Sequence, residues 1–262
     1  MERLSLAVPS SMRWHRTRTL EQLEEVSLRM DISYYVPIEQ SARYRMAMPA
    51  WVKVVPRGGR AHQARTAIME DHRGADVMMM DDDIPWFVGC LKVFPDKASE
   101  KAPKTPKLNA MEVGNMGFRA LDITGLKAWG VYPVPYSGTA LQPRIGVGEV
   151  FLCGGAFGLR VPSEGMGFSV DLHVKEDYEI TARLLERDKA VVRLDCVCPY
   201  TVVGEGDGGM AEHRTSAAEE LSVAYLTSQW PQWFTRRADR AGLPQVKFHN
   251  KVDWYDVGEV MS

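Results

Sequence analysis

The chain has 262 residues, 45% of them hydrophobic and 25% charged, with a net charge of −2 at pH 7. That apolar content is ample for the core of one large α/β domain or two small ones, so a globular protein is expected. A charge this close to neutral excludes a global field for nucleic acid and leaves any such contact to local basic patches.

Met1-Glu2-Arg3-Leu4 has neither the basic nor the apolar region of a signal peptide, and no apolar run approaches the ~20 residues of a spanning helix. A cytoplasmic protein with no membrane segment is expected. Leu4 to Val8 reads as a buried strand stopped by Pro9, Ser10 and Ser11, and Thr17 to Arg29 places Leu20, Leu23 and Leu28 among glutamates at helical spacing. The alternation continues with a strand at Ser33 to Val36, a helix at Ile38 to Met46, a strand at Trp51 to Val55, a helix at Ala61 to His72 and a strand at Asp76 to Met80. Strands alternating with helices imply right-handed crossovers and a mostly parallel sheet, whose ligands bind beyond the carboxyl ends of the strands. Pro9-Ser10-Ser11, Pro56-Arg57-Gly58-Gly59 and Asp81-Asp82-Asp83 all fall at that edge. Lys92 to Lys107 is rich in lysine, holds three prolines and lacks periodicity, which predicts a loop. The pattern then turns irregular, with glycines at Gly114 to Gly117, Gly146 to Gly148 and Gly154-Gly155. A helix follows at Glu176 to Arg187, then a strand near Val191 to Val197 and a helix at Ala217 to Thr227. Cys90, Cys153, Cys196 and Cys198 show neither metal-ligand spacing nor a disulfide framework, which favours a reducing compartment and core positions.

Three constellations carry chemistry. Asp81, Asp82 and Asp83 close the strand Val77-Met78-Met79-Met80. Carboxylates two positions apart leave an extended strand on the same side, where Asp81 and Asp83 can hold Mg²⁺ or Mn²⁺ together with a ligand's phosphates. Asp82 points the other way and is expected to tolerate change. A solvated turn or a helix cap explains an isolated acidic triplet equally well. Glu176-Asp177 opens a helix after Val174-Lys175, where a carboxylate can act as general base for an alcohol or simply complement the helix dipole. Gly154-Gly155 and the glycines from Gly204 to Gly209 let backbone amides approach a phosphate or sugar, with His213 and Arg214 nearby, although most glycine clusters are only turns.

In chain order, Asp81/Asp83, Gly154-Gly155, Glu176-Asp177 and His213 resemble the GT-A glycosyltransferases, which run through a strand-end DxD, a glycine loop, an acidic xED helix and a C-terminal histidine. The opening AVPSSMR looks like their first strand and nucleotide-binding loop, with Pro9, Ser10 and Arg13 at the donor, and Arg65 in the helix before the acidic strand fits the same pattern. The resemblance implies one GT-A type, Rossmann-like domain, a mostly parallel sheet flanked by helices. Residues 1–90 would form its nucleotide-sugar half and 91–262 its acceptor half. It further implies a UDP-sugar donor and Mn²⁺ or Mg²⁺ held by Asp83 and Asp81 with His213. Asp82, Gly154, Gly155 and Arg214 would join Arg65 at the donor. Asp177 would be the base in an inverting transfer, and Glu176 would orient the acceptor or the donor sugar.

A narrower likeness covers EDYEITARLLERDKAVVRLDCVCPY and GEGDGGMAEHRTSAAEELSVAYL, which are similar to the phage TET-associated glycosyltransferases. There an ED helix is followed by a GG…RT element, matched here by Gly208-Gly209 and Arg214-Thr215. Those enzymes modify hydroxymethylcytosine, which implies a bacteriophage DNA base as acceptor, single-stranded or flipped from the stack, in the host cytoplasm. The lysines of 92–107 and the run Trp230, Trp233, Arg236, Arg237 and Arg240 are candidates to hold phosphates and stack a base, against the plainer reading of a solvated loop and core tryptophans. Polysaccharide, lipid or protein acceptors stay open, as do a two-metal nucleotidyltransferase or phosphohydrolase and a non-catalytic binding module.

Overall fold

The computed structural model describes residues 3–15, 17–90, 106–133, 141–164, 166–168, 172, 174–200, 215–240 and 242–258. The first half follows the sequence pattern. It contains β1 (Leu4–Pro9), α1 (Leu20–Leu23), β2 (Met30–Tyr35), a 3-10 turn (Ile38–Gln40) leading into α2 (Ser41–Ala47), β3 (Val52–Val55), α3 (Ala61–Asp71) and β4 (Asp76–Met80). Then come β5 (Trp86–Gly89), β6 (Lys107–Leu108), α4 (Ala110–Thr124), β7 (Ala128–Val131), β8 (Arg144–Glu149), β9 (Ala156–Arg160) and α5 (Glu176–Asp188). The chain continues with β10 (Val191–Leu194), β11 (Val197–Tyr200), α6 (Ser216–Gln229), β12 (Phe234–Arg240), β13 (Leu243–Phe248) and β14 (Lys251–Asp256).

Among the described residues, nine strands form one sheet in the order β14-β8-β10-β7-β9-β4-β1-β2-β3. β1 pairs in parallel with β2 and β4, β2 with β3, and β7 with β10. β9 is antiparallel to both its neighbours, and so is β8. All strands but β8 and β9 therefore point the same way, and the sheet is mostly parallel in sense. The chain leaves β1 for β2 and β3, then crosses back through α3 to place β4 on the other side of β1. The strand order thus reverses between β1 and β4, the point at the carboxyl edge where sheets of this kind bind ligands.

β4 shows how the sequence builds the layers. Val77 and Met79 enter the core beneath α3, α5 and α6, while Met78 and Met80 enter the core beneath α4, α1 and α2. A strand covered on both faces needs apolar side chains in both directions, which accounts for the run of methionines.

Three segments depart from the expectations. The helix over Thr17 to Arg29 closes after Leu23, because the following bonds tighten to i→i+3 (Val26 N to Leu23 O, Ser27 N to Glu24 O, Arg29 N to Val26 O) and the Ser27 hydroxyl takes the Glu24 carbonyl. The glycines at 114 and 117 lie inside a regular helix, α4. Gly117 is needed there because a Cβ would stand 2.1 Å from two atoms of the buried Trp129 indole. The single strand expected near Val191 to Val197 is two strands, broken by a turn at Asp195-Cys196. None of the described helices is long and apolar enough to cross a membrane. The four cysteines are reduced, with Cys196 and Cys198 buried.

Candidate active site

The turn after β4 meets the loop after β1 at the strand-order reversal. Asp82 is the residue that joins them. Its Oδ2 accepts from the Ser10 hydroxyl at 2.5 Å, and its Oδ1 accepts from the Arg13 guanidinium at 2.6 Å. Ser10 Oγ also pairs with the Tyr44 hydroxyl at 2.7 Å, which in turn accepts from the Arg13 amide at 3.2 Å. Met12, between them, takes a left-handed backbone (φ 62°) and donates its amide to Gln40 Oε1. Asp82 points away from Asp81 and Asp83 as expected, but into the protein at 5% exposure, so the expectation that it tolerates change is corrected. The side opposite Asp81 and Asp83 is not solvent here, because the loop after β1 and α2 pack against it with Ser10, Arg13 and Tyr44. Burial raises the proton affinity of Asp82, opposed by Arg13 and Ser10. Short as it is, α1 holds this turn from outside. Thr19 donates to the Asp81 carbonyl at 2.7 Å and accepts from the Ile84 amide at 3.0 Å, and Gln22 donates to the Ile84 carbonyl at 2.6 Å.

Arg65 organises the other side. From α3, at 3% exposure, its Nη1 donates to Glu176 Oε1 at 2.8 Å. Nη2 donates to Asp81 Oδ1 at 2.9 Å and to the Gly154 carbonyl at 2.7 Å. One planar guanidinium thus joins the strand-end acid, the glycine loop and the helix-start acid. Gly154 is required by this approach, since a Cβ there would lie 2.8 Å from Arg65 Nη1 and 3.3 Å from Asp177 Cβ. The Gly154 amide faces Asp177 Oδ2 at 3.4 Å, the Tyr178 amide donates to Asp177 Oδ1 at 3.0 Å, and the Asp81 amide donates to the Gly155 carbonyl at 2.9 Å. Gly155 is open, with nothing nearer to its Cβ position than 3.9 Å.

The charges are unbalanced. Loss of solvent on its Arg65 side raises Asp81, to about 8, with Asp83, Asp82 and Glu176 adding to the rise and Arg65 opposing it, while the 41% of its side chain that stays exposed limits the shift. Asp177 is raised by burial and then by Glu176, against Arg65 and the Gly154 and Tyr178 amides. The side chains of Asp81 and Asp83 remain 41% and 46% exposed, so both carboxylates reach solvent. Asp83 meets Arg13 at 3.2 Å. An acidic, oxygen-only, half-open pair suits a hard cation that keeps water and ligand phosphates in its shell. Among the described residues no three His, Cys, Asp or Glu side chains are grouped to hold a metal ion, so Asp81 and Asp83 do not by themselves make a closed protein site. His213, Arg214, Gly204 to Gly209 and 91–105 of the lysine-rich loop lie outside the described residues.

α5 begins on Lys175, whose backbone is left-handed (φ 63°, ψ 31°), a conformation costing a non-glycine residue about 1–2 kcal/mol. Trp230 and Trp233 are core residues, so the base-stacking role considered for them is corrected: their rings pack beneath α6 and β12. Arg236 pairs with Glu220, and Arg237 is exposed. A cleft of about 660 Å³ opens beyond β2 and β3, lined by Pro37, Arg57, Gly58, His62, Thr66 and Phe168 among others. It shares α3 with Arg65 and is lined by Glu39 and Glu70, but by none of Asp81, Asp82, Asp83, Glu176 or Asp177.

The sequence matches no family model and no curated protein. Among solved structures, 86% of the chain aligns with S. aureus TarS 1–349 at 10% identity and a TM-score of 0.43, spanning 66% of that chain, just under two thirds of it. The mannosyl-3-phosphoglycerate synthase of Rubrobacter xylanophilus aligns with 98% of this chain and 88% of its own, at 11% identity and a TM-score of 0.46. The glucosyl-3-phosphoglycerate synthase of Mycobacterium tuberculosis, solved with Mn²⁺, UDP-glucose and phosphoglyceric acid, aligns with 99% of this chain and 91% of its own, at 12% identity and a TM-score of 0.46.

Proposed function

We propose that the protein is a metal-dependent glycosyltransferase of GT-A type, moving a sugar from a UDP-sugar to an acceptor hydroxyl with inversion. The observation that carries this reading is the Arg65 junction, which gathers Asp81, Gly154 and Glu176 at the reversal of strand order. Asp83 and Asp81 would hold Mn²⁺ or Mg²⁺, with His213 a further candidate ligand. When bound, the cation supplies positive charge against the leaving diphosphate, worth several kcal/mol of transition-state stabilisation. Residues 1–90 serve the nucleotide and 91–262 the acceptor. Pro9, Ser10 and Arg13 shape the donor loop, Gly155 leaves room for the sugar, and Arg214 is a further candidate to contact the donor.

Asp177 accepts the acceptor's proton as the acceptor oxygen bonds to the anomeric carbon and the bond to the β-phosphate oxygen breaks. Its raised proton affinity suits a general base. Glu176, fixed by Arg65, orients the sugar or the acceptor. For the acceptor we favour the hydroxyl of 5-hydroxymethylcytosine in phage DNA, on the likeness of the Glu176-to-Leu226 stretch to the TET-associated enzymes.

The test is incubation with labelled UDP-sugars, Mn²⁺, and DNA carrying cytosine or hydroxymethylcytosine. Label is expected only in the modified DNA, and Asp177→Asn is expected to bind donor but lose transfer by about 10²-fold or more. UDP release without label in DNA would overturn the acceptor and point to a polysaccharide or protein. Turnover of nucleoside triphosphates with no turnover of any sugar donor would overturn the transferase.

A further inference from the structure

We propose that Glu219, acting through Lys175, is a positioning residue for the Glu176–Asp177 pair, an inference that rests on reading Asp177 as the base. Helix entries ordinarily use an extended residue with a capping oxygen. Lys175 is left-handed instead, and its side chain makes no cap. That side chain is 5% exposed and ends in an ion pair with Glu219 of α6, which is 0% exposed. A left-handed lysine has no intrinsic reason to persist, so its surroundings hold it there, and the Glu219 ion pair is the contact that ties it to another element.

The geometry passes from that backbone to the acids. The Lys175 carbonyl accepts from the Tyr178 amide at 3.1 Å and the Glu179 amide at 3.4 Å, which starts the first turn of α5. The Tyr178 amide also donates to Asp177 Oδ1. Turning Lys175 out of the left-handed region would swing Glu176 and Asp177 away from Arg65 and the Gly154 amide. Glu219 is itself well anchored. Its amide bonds to the Thr215 carbonyl, the Thr215 hydroxyl caps α6 at the Ala218 amide, and Val223 and Leu226 fix the helix in the core. The acids are thus held twice, by Arg65 from α3 at the side chain and by Glu219 from α6 at the backbone. A buried ion pair adds little net stability over an apolar one, so its value here lies in geometry.

The experiment compares the full chain with Glu219→Gln, and with Lys175→Gly or Lys175→Ala placed on that background. Glu219→Gln is expected to lower kcat about tenfold with donor KM unchanged. Amide exchange at Tyr178 and Glu179 should accelerate about tenfold. Glycine adopts the left-handed backbone without a clamp, so Lys175→Gly/Glu219→Gln should return both readouts to within about threefold of wild type, whereas Lys175→Ala/Glu219→Gln should not. A merely stabilising role would make both double variants worse. If Glu219→Gln does not fold, Lys175→Met/Glu219→Met fills the same space and should be folded, slow in kcat and fast in exchange. Wild-type exchange in Glu219→Gln, or equal impairment of the glycine and alanine doubles, overturns the proposal. If the wild type transfers no sugar, the proposed function fails and the exchange readout alone decides the positioning.

Discussion

Asp82 and Gly154 show at the scale of single residues why neighbouring positions in one motif are not equivalent. Asp82 faces inward and accepts from Ser10 and Arg13, so Asp82→Ala leaves the hydroxyl with Tyr44 alone and the guanidinium with the half-exposed Asp83 alone. The expected loss is about 2–3 kcal/mol of unfolding free energy, read by urea denaturation. A neutral result would mean that the turn can rotate to water. Gly154 and Gly155 form a sharper contrast. A methyl at Gly154 meets Arg65, which is held by three acceptors and cannot retreat, whereas at Gly155 it meets only ordinary contacts at 3.9 Å. Gly154→Ala is expected to lower transfer about tenfold or more through displaced acids, with Gly155→Ala mild unless the donor sugar fills that space. Comparing kcat and KM of the two variants separates these effects: a rise confined to KM in Gly155→Ala would place the sugar there.

Among elements, α4 rests on a balance that can be measured. Alanine is favoured over glycine inside a helix by about 1 kcal/mol, yet a Cβ at Gly117 collides with the Trp129 ring, and overpacking costs about 1–3 kcal/mol. Gly117→Ala is therefore expected to lower the thermal midpoint, and a raised midpoint would show that α4 does not press on β7 at this point. The same helix marks a limit of sequence reading. Its Asn109 and Glu112 form a reciprocal cap, a signal that was available, but glycines 114 and 117 drew attention to turns instead. The strand–helix alternation up to Met80 was legible because both faces of β4 and the apolar stripe of α3 are written in side-chain periodicity. The acids at Asp81–Asp83 and Glu176–Asp177 and the cation Arg65 were legible as chemistry. Their supports were not. Thr19, Gln22, Gln40, Tyr44 and Glu219 look like the solvent face of helices, and only tertiary contact turns them inward. Of the last three strands, β12 and β14 are hidden because Arg236, Arg237 and the exposed residues of β14 lack the buried apolar alternation of a half-buried strand, whereas β13 carries it in Pro244, Val246 and Phe248.

Over the whole molecule, Arg65 is the buried charge that ties the strands β1 to β4 to the glycine loop and α5. Removing it as Arg65→Met leaves Asp81 and Glu176 facing each other across an apolar side chain, with Asp177 nearby; breaking the buried Glu176 pair costs about 3–5 kcal/mol, and the half-open Asp81 pair adds less. The pH dependence identifies the cause. Asp81 and Asp177 are already raised in the folded state, so their ionisation opposes folding, and the stability they allow is present at low pH and lost as pH rises through the folded values. Arg65 pulls both downward and offsets part of that loss. Without it the folded values rise further, so the deficit of Arg65→Met should be largest near pH 8 and shrink toward pH 5, where the acids take up protons in the folded protein. Arg65→Lys keeps the charge but replaces a planar fork with a point donor, and should show a smaller deficit with little pH dependence and a large loss of transfer. Urea unfolding of the three proteins across that range decides it: a deficit in Arg65→Met that is flat with pH would mean that the guanidinium acts by packing, and the electrostatic account of the junction would fall.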